Sequence, residues 1–189
     1  MDLGAWLLDA HTDLRTRLFG SVVQHVPVER WHERADGGGS SITWLLLHLA
    51  RHHDLALSTS IRDKDPIFLA HRDALGVGAS FGAGLTERED RDVSAAVSAE
   101  PLITYVHAVF DASEKWLHNL SAMALDTIPD TPRRLEHRAG LDPELFPWLY
   151  QMWTGRPVHW FVQWPVLGHG NAHVGEAISV RNRMGLSPF

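Results

Sequence analysis

Residues 44–50 read Trp-Leu-Leu-Leu-His-Leu-Ala, a run with no polar face and a single imidazole at its centre. A helix that is apolar nearly all round cannot lie on a surface, so the rest of the chain must enclose it. Ser40 or Ser41 offers the N-cap, and the helical pattern runs to about Ser60. Three further stretches supply the enclosure. Leu3, Leu7, Ala10, Leu14, Leu18 and Val22 recur at gaps of three or four, and Pro27 ends that helix. Ser98 caps another, whose seam is Leu102, Val106, Val109, Ser113, Trp116, Leu120 and Met123. The last long helix starts near Pro157 and stops before Gly185, with Pro165 predicting a kink inside it.

The connections are long. Residues 35–39 form a glycine-rich loop, and residues 61–97 read as irregular, with Thr86 and Glu89 spaced as a capping box for a short helix. Residues 126–143 also read as irregular and lead to a short helix around residues 146–153. No stretch alternates apolar and polar residues as a strand would. The expected fold is therefore all-α, an antiparallel four-helix bundle with long connections and short extra helices. One domain spans 1–189, a length that buries roughly 70% of the surface its unfolded chain exposes.

Composition narrows the function. A net charge of −6 disfavours generic binding to nucleic acid or an anionic membrane. No apolar run reaches the ~18 residues of a membrane span, and the acidic start argues against a secretory signal. The chain has no cysteine, which removes disulfides, thiolate metal sites and a cysteine nucleophile together and fits a cytoplasmic protein. Lys64 and Lys115 are the only lysines, so basic charge is almost all arginine, as in high-GC genomes.

There are 13 histidines, and their placement carries the functional question. In the last helix Val162, Val166, His169, His173, Glu176 or Ala177, and Val180 share one stripe, which assigns both histidines to the core. At i and i+4 the two rings stand one turn apart on one face and can share a metal ion. Chance also produces such pairs, and His48 with His52 is a second one. A neutral imidazole in a core needs partners for its ring nitrogens, and a shared cation serves several at once. His48, inside the apolar run, is the third ligand candidate, whereas His52 reads equally as a rim or surface residue. Gly168 and Gly170, which flank His169, weaken the helix by about 1 kcal/mol each, which makes sense if backbone or ligand comes close there.

The segments Trp44-Leu45-Leu46-Leu47-His48-Leu49-Ala50-Arg51-His52-His53-Asp54 and His169-Gly170-Asn171-Ala172-His173-Val174-Gly175-Glu176 resemble the DinB/YfiT-like metalloenzyme superfamily. The resemblance covers nearly the whole chain. It implies a four-helix bundle in which His48, His169 and His173 hold a divalent metal, with homodimers common. Three histidines leave coordination positions open, as catalytic sites do. Zn²⁺ or Ni²⁺ lead the candidates, with Fe²⁺, Mn²⁺ and Co²⁺ as alternatives, because imidazole selects weakly.

Such an ion would lower the pKa of a bound water or deprotonate a bound thiol. Relatives within the resembling superfamily include transferases and isomerases that use a low-molecular-weight thiol, mycothiol in actinobacteria. The expectation is a metal-dependent thiol S-transferase acting on a small-molecule electrophile. The alternatives are a hydrolase on the same site, or a non-catalytic stress-related binding protein. Glu176 is the acid/base or ligand-orienting candidate, with a surface or dimer-contact role as the alternative. Arg51 and Asn171 are candidates for binding the cosubstrate at the pocket mouth, with solvent-facing or ion-pair roles open. Trp44, Trp116 and Trp164 read as core. Trp148, Trp153 and Trp160 read as packing, or else as a pocket or dimer face.

Overall fold

The computed structural model describes residues 2–78 and 80–189, and among them it is helical with no strand. Helix α1 spans Leu3–Leu18, capped by the Asp2 carboxylate, and continues as a π-helical turn over Phe19–Val23. Its buried stripe is Leu7, His11, Leu14, Leu18 and Val22. The stripe runs through His11 rather than the expected Ala10, and Leu3 is exposed. Helical geometry, not hydrophobicity, decides which residue faces inward between Leu7 and Leu14.

Helix α2 spans Ile42–Asp54, and Ser41 Oγ accepts the Trp44 N–H at 3.1 Å as its cap. Every residue of α2 is buried, and a π-helical stretch, Leu55–Ile61, extends it. The enclosed position required by its apolar run is therefore met. Its polar end is buried too, with Asp54 and Arg51 bonded to backbone groups of the following connection, while Arg51 Nη1 and His53 Nδ1 are left without a partner. The Asp54 carboxylate accepts the N–H groups of Ile67 (3.0 Å) and Phe68 (2.9 Å) and the Tyr105 hydroxyl (3.0 Å). Arg51 donates to the carbonyls of Ala83 (2.9 Å) and Phe81 (2.6 Å) and lies 3.6 Å over the Phe68 ring.

Helix α3 (Phe68–Leu75) and helix α4 (Asp90–Ala96) occupy the connection that reads as irregular. The 3-10 turn Glu87–Glu89 begins after Thr86, although no Thr86 side-chain cap forms. Helix α5 (Ala99–Leu117) buries Leu102, Val106, Val109 and Ser113, then Leu117 rather than Trp116. The helix ends there, so the predicted seam stops short and Met123 is 86% exposed. Helix α6 (Thr131–Ala139) lies in the second stretch expected to be irregular, and α7 (Pro147–Trp153) is the short helix expected there. Helix α8 (Val158–Phe161), the π-helical stretch Val162–Gly168 around Pro165, and α9 (His169–Arg183) make up the last long helix.

Helices α1, α2, α5 and α9 form the bundle. Arg15 bonds Asp111 and Glu114 while Phe19 stacks on His107, so α1 and α5 are antiparallel. His48 faces His173 and His52 faces His169, so α2 and α9 are antiparallel as well. The other neighbours run in the same sense. Arg17 bonds Asn171 and Arg181 bonds the Ser21 carbonyl, while α2 meets α5 through Ala50–Tyr105 and His53–Ser113. Long crossovers make such parallel neighbours accessible. Among the described residues no helix is long and apolar enough to cross a membrane.

Candidate metal centre

The π-helical stretch before α9 sets where its histidines point. Pro165 lacks an N–H, and Gly168 permits the widened turn: a Cβ there would stand 2.9 Å from the Gln163 carbonyl oxygen. The buried stripe resumes at Gly170, Val174, Ala177 and Val180, while His169 and His173 are half-buried at its edge. The regular 3.6-residue period assigns them to the core. The extra residue per π turn moves them instead toward α2 and a cleft. Gly170 is the second close approach, since a Cβ on it would meet Leu14 Cδ2 at 2.7 Å.

His48, His169 and His173 each offer a ring nitrogen, and these atoms lie within 4.8 Å of one another. The Nε2 atoms of His169 and His173 are 3.1 Å apart. His48 Nδ1–H donates to the Gly84 carbonyl at 2.7 Å, and His173 Nδ1–H donates to Glu176 Oε2 at 3.1 Å. Both bonds turn an Nε2 lone pair toward the cluster, the role outer partners play for metal-bound histidines. His169 Nδ1 is buried without a partner.

Burial pushes His48 down to about 4 and His169 down to about 3, so both are neutral near pH 7. Glu176 is lowered, chiefly by its bond with His173, and is ionised. Three converging imidazoles, two of them with fixed tautomers, fit a first-row divalent cation.

A cleft of about 230 Å³ opens beside the cluster, with His48, His52 and His169 in its wall. His52 is buried, its ring centroid 4.6 Å from that of His48 and 4.5 Å from that of His169, which settles its place away from the open surface. Trp148 and Trp153 line the cleft, at 5.9 and 6.2 Å from His52, so they do more than pack. Trp164 is 44% exposed and also lines it, which corrects its expected core position: the π-helical stretch carries it outward. Trp44 is buried and stacks 5.3 Å from His48, whereas Trp160 packs on Phe161 outside the cleft lining.

Arg51 and Asn171 line neither the cluster nor the cleft. Arg51 is held by the carbonyls described above. Asn171 bonds Arg17 (2.6 Å) and the Leu167 carbonyl (2.9 Å) beside a separate groove formed with Trp6 and Leu7.

Sequence reading missed Glu87, a cleft-lining carboxylate for which no spacing rule gave a signal. It also missed a buried pair, His11 and His53, whose ring centroids are 5.5 Å apart. His53 Nε2 bonds Ser113 Oγ at 2.6 Å, while both ring nitrogens of His11 lack partners. His11 could have been found from the periodicity of α1 alone.

A family model described as the DinB superfamily matches residues 11–176. The chain is also similar to a crystal structure of a conserved protein from Enterococcus faecalis, with 18% identity and a TM-score of 0.68 over 98% of this chain and 99% of that one. That likeness is one of fold. Among curated proteins none matches the sequence.

Proposed function

The chain belongs to the DinB superfamily, and we propose that it is a divalent-metal-dependent transferase joining a low-molecular-weight thiol to a small electrophile. The observation that carries this reading is the convergence of His48, His169 and His173, with His48 and His169 in the wall of an aromatic cleft. An ion bound there, Zn²⁺ or Ni²⁺ foremost, would acidify a thiol at an open coordination position.

The chain's own groups do the rest. The Gly84 carbonyl and Glu176 hold His48 and His173 with their Nε2 atoms turned inward. Glu176 is engaged by His173, which favours its orienting role over acid/base exchange. The indoles of Trp148, Trp153 and Trp164 screen the reacting sulfur from water. The chain has no cysteine, so the thiol is a cosubstrate, and the arginine-rich composition suits mycothiol. In the transfer the thiol releases its proton to solvent, its sulfur pair forms the new C–S bond, and the leaving group departs with the electrons of the bond it breaks.

Elemental analysis of untagged protein purified without chelator tests the site. About one equivalent of a first-row divalent ion is expected. Turnover of model electrophiles should then require added thiol. Turnover without thiol would favour water as the nucleophile. A protein that neither carries nor accepts the ion would leave the histidines as core residues and the binding-protein reading in place.

A further inference from the structure

We propose that the cleft selects a small aromatic electrophile that carries no anionic group and presents an amine or other cation to Glu87. This rests on the reading above only for which end of the ligand reacts; the charge preference stands on the cleft itself. The end walls are indole: Trp148 and Trp153 beside His52, and Trp164 with its ring centroid 6.2 Å from His169. At about 230 Å³ the space is below the range that holds drug-sized ligands, and it suits one ring with a short chain.

Among the described residues no lysine or arginine lines the cleft, and Glu87 is its only carboxylate. Arg51, next in sequence to His52, is fixed on the Phe81 and Ala83 carbonyls and over Phe68, so it cannot turn in to meet an anion. With no ion on the histidines, a carboxylate or phosphate entering among the indoles would lose its hydration and face Glu87, with no partner in return. A cation gains twice, from the faces of the tryptophans and from Glu87. The ligand therefore lies with its ring between the indoles, its charged end at the mouth and its other end at the histidines.

Calorimetric titration of the full chain with 2-phenylethylamine, 2-phenylethanol and 3-phenylpropionate tests this, with the protein loaded with Zn²⁺ and again after chelation. In the chelated protein the amine should bind about three- to tenfold more tightly than the alcohol, with the propionate weakest. Glu87→Gln should bring the amine to the level of the alcohol and leave the alcohol unchanged. Trp164→Ala, at an exposed position the fold does not need, should weaken all three together.

Propionate binding as tightly as the amine would overturn the proposal. So would an amine preference that survives Glu87→Gln, or binding indifferent to Trp164→Ala. Failure of the metal and thiol reading would instead show as absent metal or thiol-independent turnover, and it would leave the charge preference of the chelated protein intact.

Discussion

His11 shows what a single buried side chain demands of this fold. It is fully buried, neither ring nitrogen has a partner, and burial and then Arg15 push its pKa from 6.5 down to about 4. Between those values the unfolded chain binds a proton that the folded chain refuses. Stability therefore falls as pH drops from 6.5 to 4, by roughly 3 kcal/mol from this residue. His11→Leu should cut proton uptake on unfolding by about one in this window. It should also hold or raise stability at pH 7, because two orphaned nitrogens disappear. Urea unfolding at pH 7 and 4.5 reads both effects, and an equally steep pH dependence in the variant would assign it to other groups.

Among the cluster residues, His169→Ala should strip the metal. Glu176→Gln, which keeps a weaker acceptor for His173, should cost about 10- to 100-fold in metal affinity by chelator competition. Unchanged affinity in Glu176→Gln would remove the carboxylate from that role.

The three converging histidines were legible because His48 interrupts an apolar run and His169 and His173 share a helical face. His52 was not. It stands in a polar stretch whose burial depends on carbonyls and N–H groups of residues 67–83, contacts that local sequence does not encode.

At the scale of elements, caps and breakers marked most of the long helices. Ser41 and Pro157 stand at the expected starts, and α9 ends before Gly185. Helix α6 escaped notice because its buried positions, Thr131, Leu135 and Ala139, include only one large apolar residue among charged neighbours. The π-helical stretch was foreseen only as a kink at Pro165, and its shift of register is what places His169 and His173 at the cleft.

The glycines of α9 test this geometry. Gly170→Val would press on Leu14 and should cost about 1–3 kcal/mol, partly recovered with Leu14→Ala. Gly175→Ala meets nothing within 4 Å and should stabilise by about 1 kcal/mol through helix propensity. Thermal unfolding of the variants separates the two. Equal responses at both glycines would mean that α1 and α9 are not in close contact at Leu14.

At the scale of the molecule, the candidate centre ties together two helices far apart in the sequence, α2 (Ile42–Asp54) and α9 (His169–Arg183). The fold class was legible because an all-apolar helix needs surrounding partners. The direction of each neighbour was not, because it depends on where the long connections carry the chain. Helices α2 and α9 meet antiparallel only after the chain has passed through α5 and the short helices between. A cation shared by His48 with His169 and His173 binds the folded arrangement, since the unfolded chain does not hold those nitrogens within 4.8 Å of one another.

Binding should then appear as stability, by about 2.7 kcal/mol when free Zn²⁺ is at 100 times its dissociation constant. Denaturant unfolding of the wild-type chain, with chelator and with Zn²⁺, measures the gain, and His169→Ala should show none. Zinc stabilisation that persists in His169→Ala would place the ion elsewhere. No stabilisation in the wild type, with His169→Ala as stable as its parent, would make the three imidazoles ordinary packing beside an aromatic cleft.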